Sequence, residues 1–470
     1  MHRSIAWALA VALGCAGAAR AELKPDNLFS DGAVLQRDAK LPVWGTTDRD
    51  QPVTVRFAGQ EVSATPEKGT WQVELAPLAS NSQPSTLTIA QGDVTIERTN
   101  ILVGDVWICG GQSNMRWMVR QAAGAGPAIA TAGNRLLRLY TVTRTGVTAR
   151  DLGGELENCD RWLVDGPESV PTFSAVGYYF GRELQRSLGV PIGLINSNVG
   201  GTGAERWTSR ETLAANDELK VYLNRGSSDL WNTMILPLTR FPIRGVIWYQ
   251  GEANAARAWQ YRTLLTEMIK GWRSAWHQGD FPFLIVQLAP FFNNHPPDKE
   301  PADSSWAELR EAQTFAAETL PNVGQVVITD LGEERNIHPS QKREVGERLA
   351  QAARAIAYGQ KVEYQGPTFE RQTTSGDKIV VNFKHVGAGL VAAGGPLTGF
   401  AIAGEDGKFR NATAQIEGNT VVVSSDQVPH PVAVRYGWAD FPIVNLWNKE
   451  GLPACPFRTD EFPASTLDKE

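Results

Sequence analysis

The chain has 470 residues, enough for two or three domains and a large buried core. Its 42% hydrophobic and 20% charged content are those of a soluble globular protein. A formal charge of −6 excludes the global positive field that would draw nucleic acid or an anionic membrane.

In chain order, the first residues set the compartment. Arg3 gives a positive start, Ile5 to Leu13 an apolar run, and Ala19-Arg20-Ala21 a small-residue cleavage site, so residues 1–21 read as a signal peptide. The run is too short to span a bilayer. Cys15 lacks the upstream leucine of a lipoprotein site, because Ala12 stands there. The expectation is a secreted or periplasmic protein without a membrane anchor. Its cleavage removes Arg3 and Arg20, two positive charges, taking the formal charge from −6 to −8. Cys109, Cys159 and Cys455 then remain, too few for a disulfide framework and without metal-ligand spacing. One bridge is open to an oxidising compartment, although Cys109 reads as a buried thiol. No metal and no cofactor is expected.

Residues 22–100 carry short alternating runs such as Val53-Thr54-Val55-Arg56-Phe57 and Thr86-Leu87-Thr88-Ile89, the pattern of an antiparallel β-domain. Over 101–360 apolar strands alternate with helical stretches. The expected strands are Ile101–Cys109, Val190–Asn196, Ile243–Tyr249, Phe283–Ala289 and Val323–Asp330. Helical periodicity runs through Ser174–Leu188, through Trp259 to Trp276, and through the 340s and 350s. This alternation predicts an α/β fold with a mostly parallel sheet. From 361 to 470 short β runs return, among them Lys378–Phe383 and Thr420–Ser424.

Two points on this layout carry chemistry. An apolar strand ends in Gly110-Gly111-Gln112-Ser113-Asn114-Met115, where glycines permit a sharp turn and Ser113 meets the carboxyl edge of the sheet. A backbone N–H there suits an oxyanion. The same residues also suit a Gly-Gly turn followed by a serine helix cap. Of six histidines, His338 alone lies between a strand and a helical pattern, the latter beginning near Pro339. There it can exchange a proton with Ser113 as general base, or simply cap a helix.

Four stretches together resemble the sialate O-acetylesterase family of the SGNH hydrolase superfamily. They are Gly110 to Met115, Asn198-Val199-Gly200-Gly201-Thr202, Trp248-Tyr249-Gln250-Gly251-Glu252-Ala253-Asn254 and Ile337-His338-Pro339, with Leu28 to Gln36 resembling the family's opening β-domain. The resemblance implies a flavodoxin-like three-layer core flanked by β-rich regions, with Ser113 as nucleophile and His338 as base. It implies an oxyanion hole of the Ser113 N–H, Gly201 or Gly200, and the Gln250 amide, with Asn254 as the fallback donor. Arg335 stands three residues before the histidine, where many SGNH enzymes have aspartate. The group orienting His338 is therefore sought among Asp330, Glu333, Glu334 and the carbonyl of Asn336. Arg116 replaces a common family glutamate. Arg116, Trp117, Arg206 and Trp207 lie near these motifs and are candidates for sugar contacts.

The implied activity is hydrolysis of O-acetyl esters on carbohydrates through an acetyl-enzyme on Ser113, with an acetylated glycan as the partner. An acetylxylan or other hemicellulose acetylesterase of the same design is the alternative substrate reading. A carbohydrate-binding protein that has lost catalysis is the alternative class.

Overall fold

The computed structural model describes residues 22–143, 159–224, 226–292 and 301–469; the expected signal peptide lies outside them. Its centre is a strand, β1 (Val94–Gly111), that runs for 18 residues. The first half alternates exposed and half-buried side chains and pairs antiparallel with Asn81–Gln91. The second half is buried on both faces, where Trp107 and Cys109 point one way and Val106 and Ile108 the other. The expected division at residue 100 therefore falls inside one continuous strand.

Around β1 lie β2 (Leu137–Thr141), β3 (Trp162–Val164), β4 (Ile192–Asn198), β5 (Gly245–Tyr249), β6 (Phe283–Val286) and β7 (Val323–Val326). Their order is β3-β2-β4-β1-β5-β6-β7, parallel throughout except for the edge strand β3. The chain leaves β1 toward β4 on one side and later returns to β5 on the other. A crevice opens where such connections diverge, at the carboxyl ends of the strands. β2 was not expected from sequence, because its five residues include Arg138. That guanidinium is buried and bonds the carbonyl of Gly32 at 3.1 Å and the side chain of Asn100 at 3.1 Å.

After the short α1 (Ser113–Arg116), four longer helices cover the sheet: α2 (Ala175–Leu188), α3 (Ala258–Trp276), α4 (Ser305–Thr319) and α5 (Arg343–Ile356). Residues of α2 and α5 share a core with Trp107, Cys109, Ile247 and Leu284. Residues of α3 and α4 share another with Val106, Ile108, Val246 and Ile285. Ser174 caps α2 by accepting the Gly177 N–H at 3.1 Å, and Ser304 caps α4 through Ala307 at 3.0 Å. α5 begins at Arg343, four residues beyond the expected start, because residues 333–341 form an irregular loop instead.

Two four-stranded antiparallel sheets follow, one containing Lys378–Lys384 and Thr420–Ser424, the other Phe400–Ala403 and Ala433–Tyr436. They fold back on α4. Arg310 donates to the carbonyls of Ala439 and Asp440 at 2.7 and 2.9 Å, and Glu308 accepts from Ser465 and Thr466. Cys109 and Cys455 are buried thiols whose ionisation burial pushes upward. No helix among the described residues is long and apolar enough to cross a membrane.

Buried Asp105 ties β1 to its surroundings. Its carboxylate accepts from Arg37 at 3.0 and 2.9 Å, from Arg244 at 3.1 Å, from Gln36 at 3.1 Å and from Tyr358 at 2.9 Å. Desolvation opposes the charge, but Arg37 and Arg244 outweigh it and hold the carboxyl below its usual range. A depressed folded value means stability that is present above the ordinary aspartate range and is lost as pH falls through the folded value. Asp105→Asn should therefore cost about 3 kcal/mol at neutral pH by leaving two guanidiniums with only the more distant and exposed Asp38 as counter-charge. Urea denaturation at pH 7 and pH 3 should show this deficit shrinking at acid pH; equal stability at both would contradict it.

Candidate active site

The carboxyl end of β1 is clamped from both sides. Gln112 N–H donates to the carbonyl of Tyr249 at 3.0 Å, and Val199 N–H to that of Gly111 at 3.2 Å. Gly111 has φ +138°, and a Cβ there would lie 2.2 Å from the Tyr249 carbonyl oxygen. Glycine is thus required where the chain turns. Ser113 follows as the first residue of α1. The helix cap is Gln112, without a side-chain bond, so the serine is not spent as a cap.

Ser113 and His338, 225 positions apart in sequence, line one cavity of about 330 Å³, with Arg116, Trp117, Met118, Arg120 and Gln121. Hydroxyl and imidazole are not hydrogen-bonded to each other in this structure. The histidine ring stacks on Trp117, with centroids 5.4 Å apart and planes at 23°. Desolvation, and then the charge of Lys342, lower the His338 pKa, so the ring favours the neutral form a base requires.

The His338 loop is fastened through its backbone. His338 N–H donates to Asn336 Oδ1 at 3.0 Å, and Asn336 Nδ2 donates to the His338 carbonyl at 2.9 Å and to Glu333 at 2.9 Å. Glu333 also accepts from the Ser340 N–H at 2.6 Å and its hydroxyl at 2.8 Å. Asp330 is held by both arms of Arg348 at 2.7 Å. Glu334 is exposed and contributes its backbone carbonyl to Phe292. None of these carboxylates, nor the Asn336 carbonyl, bonds a ring nitrogen of His338. Asn336 and Glu333 shape the loop instead.

The expected oxyanion donors separate. Gly200 packs on Ser113: a Cβ there would lie 3.5 Å from Ser113 Cβ and 3.6 Å from an Arg116 nitrogen. Gly201, next in the turn, has φ +71° and faces open space. Gln250 is engaged away from the cavity. Its amide is fully buried, with Nε2 donating to the Thr202 carbonyl at 3.2 Å and to Asn254 at 2.7 Å, while Oε1 accepts from Tyr261 at 2.8 Å. Both amide protons are committed, so none is left for an oxyanion. Asn254 bonds Glu205 at 2.9 Å and the Ala204 N–H at 2.9 Å. These two amides tie the 202–205 loop to the turn after β5.

Of the expected sugar contacts, Arg116 and Trp117 line the cavity. Arg206 does not; it pairs with Asp229, Nε to Oδ1 at 2.9 Å. Trp207 is wholly buried, edge-on to Trp248, with its indole N–H on Thr202 at 3.0 Å. It is a core residue, as large aromatics usually are.

Sequence reasoning missed a polar group beneath the cavity. Asn114 Nδ2 donates to Glu252 and to the Ile337 carbonyl at 2.9 Å, while Lys342 Nζ donates to Asn114 Oδ1. Lys342 is fully buried, lies 5.2 Å from the centre of the Tyr249 ring, and desolvation pushes its pKa down to about 7. Burial pushes the Glu252 carboxyl up. Asn114 and Glu252 lie inside motifs already singled out; nothing in the sequence marks Lys342 apart from its place four residues after His338.

Comparison with known proteins shows the family. The family model described as carbohydrate esterase, sialic acid-specific acetylesterase, matches residues 103–355. Sialate O-acetylesterases of Mus musculus and Homo sapiens are each 31% identical to this chain, over 404 and 407 residues. These matches cover 71% and 76% of this chain and 73% and 76% of the relatives. The crystal structure of a carbohydrate acetylesterase from Xanthomonas citri is 41% identical, with TM-score 0.85 over 93% of this chain and 100% of that one. The chain belongs to the sialic acid-specific acetylesterase family of carbohydrate esterases and is a carboxylic ester hydrolase.

Proposed function

We propose that this protein is a serine esterase that removes O-acetyl groups from carbohydrates through an acetyl-enzyme on Ser113. The observation that carries the reading is the shared cavity, which brings a serine at the turn after β1 and a histidine after β7 to one solvent-reachable space. The parallel order β4-β1-β5-β6-β7 with helices on both faces fits an SGNH hydrolase core spanning 101–360. On this reading the β-rich segments 22–100 and 361–470 are scaffolding, and residues 1–21 are an export signal.

Neutral His338 takes the proton as Ser113 Oγ attacks the acetyl carbonyl. Negative charge on the carbonyl oxygen falls to the Ser113 N–H, in the first turn of α1, and to the Gly200 N–H beside it. Protonated His338 returns its proton to the departing sugar hydroxyl, and water, activated by the same ring, releases acetate. With no carboxylate among the described residues on its far nitrogen, His338 works in a dyad, and Trp117 and the loop backbone set its orientation. Names of the relatives point to acetylated sugars, and the Arg116 and Arg120 side of the cavity suits one that carries a carboxylate. Acetylated xylan and xyloglucan are the neutral alternatives.

Ser113→Ala should reduce release of nitrophenol from p-nitrophenyl acetate by about 10⁴-fold or more. Turnover equal to wild type would end the reading. Freed acetate from acetylated sialic acid, xylan and xyloglucan, compared side by side, identifies the sugar. Because the His338 pKa is lowered, kcat/KM should stay flat above a limb that lies below the ordinary value of 6.5, then fall tenfold per pH unit beneath it. A limb above 6.5 would contradict the assigned environment.

Gln250→Leu separates a buried tie from an oxyanion donor. It leaves the Thr202 carbonyl, Asn254 and the Tyr261 hydroxyl short of a partner, so thermal stability should fall by about 1–3 kcal/mol. kcat of the folded fraction should stay within about tenfold of wild type. A loss of about 10²–10³ in kcat without loss of stability would restore the donor role.

A further inference from the structure

Nucleophile turn and base loop are bridged by one buried amide. Asn114 is the residue after Ser113, and Ile337 the residue before His338. The two Asn114 amide protons go to Glu252 and to the Ile337 carbonyl, and its oxygen accepts from Lys342. Four segments meet there: α1, the Gly251-Glu252 turn after β5, the base loop and the approach to α5. Both amide protons and the amide oxygen are engaged by neighbours on different segments, so its position is fixed in three dimensions.

We propose that Glu252 and Lys342 are positioning residues for the ester hydrolysis, acting through Asn114 to hold the Ser113 turn and the His338 loop in one frame, where no carboxylate among the described residues orients the His338 ring. This rests on the serine esterase reading. Glu252 is an expensive way to fill the space: one oxygen holds Asn114, and the other, Oε2, is sealed from solvent with no side-chain partner among the described residues. Lys342 is equally costly, wholly buried among the Asn114 amide, the Tyr249 ring, Glu252 and Glu333. Apolar residues of similar volume commonly replace buried ion pairs without loss of stability. Two ionisable side chains kept sealed on either side of the Asn114 amide therefore point to geometry and local field. The charged groups around His338 are Lys342 below it, Arg116 and Arg120 across the cavity, and Glu333, which is spent on Ser340 and Asn336. Lys342 disfavours the imidazolium; Glu252 compensates Lys342.

The test compares full-length wild type, Glu252→Leu, Glu252→Gln and Lys342→Met on p-nitrophenyl acetate and one acetylated sugar across pH, with thermal melts and NMR titration of ¹³C-labelled histidine. Glu252→Leu should lose about 100-fold in kcat with KM changed less than about threefold, the penalty of a small displacement between reacting groups. Glu252→Gln keeps an oxygen for Asn114 and should recover to within about tenfold of wild type. Lys342→Met should move the acid limb of kcat/KM, and the His338 titration, upward by about half a pH unit or more. A folded Glu252→Leu and Lys342→Met with kcat within about threefold of wild type and an unmoved limb would overturn the proposal. Should Glu252→Leu not fold, the Glu252→Gln/Lys342→Met double variant decides: lost kcat at unchanged KM supports positioning, wild-type kcat refutes it. Wild type no faster than Ser113→Ala would instead end the esterase reading and this inference together; an active wild type with an equally active Glu252→Leu removes the inference alone.

Discussion

The site depends on where β1 ends. Its last residues carry backbone hydrogen bonds to strands on both sides, and at Gly111 the neighbouring backbone is too close for any side chain. Nothing at that point can shift without breaking the sheet. Ser113 is therefore delivered by the most buried part of the fold to its most open edge, at the place where the strand connections diverge. At the other end of the buried stretch, Asp105 gathers Arg37, Arg244, Gln36 and Tyr358 around one carboxylate, so the strand is anchored at both limits.

A rigid strand positions only half of the chemistry. His338 sits on a loop without regular structure, and loops move unless something holds them. The structure supplies that hold in three layers: Asn336 and Glu333 within the loop, Trp117 against the ring, and Asn114 from the nucleophile turn. In a Ser-His-Asp site the carboxylate both orients the imidazole and stabilises its positive form. On the proposed mechanism the work of orientation passes to backbone and stacking contacts, and the charge acting on the ring is the cation Lys342. Such a site favours a neutral histidine, which suits proton abstraction at mild pH and offers the imidazolium less support.

Much of this was legible in the sequence. Apolar runs ending in glycine, the 3.6-residue periodicities, and a lone histidine beyond the last strand specify a parallel sheet with Ser113 and His338 on one edge, since burial and period follow directly from side-chain type. Trp117 also followed from its place beside the serine turn, while the Gly200-Gly201 turn came from the family resemblance. The remainder lay in three dimensions. Whether Gln250 points at an oxyanion or at Thr202 and Asn254 depends on which loop reaches its amide first, and spacing does not encode that. Trp207 and Arg206 stand beside motifs in the chain but turn to the core and to Asp229. Lys342 reads as a surface residue because lysines nearly always are. Only contact with Glu252 and Asn114 reveals otherwise. Strand β2 escaped for a related reason: its buried arginine breaks the apolar pattern, and long-range partners satisfy it.

The central claim is that acetyl passes through the Ser113 hydroxyl. The most direct measurement is intact-protein and peptide mass spectrometry after rapid mixing with an activated acetyl ester and an acid quench. The account predicts one acetyl group on the peptide containing Ser113, forming before steady-state acetate release and increasing when His338 is replaced by a residue that slows the second step more than the first. Acetate release by the wild-type enzyme with no acetylated Ser113 peptide at any time, or with the acetyl group on a different side chain, would contradict it.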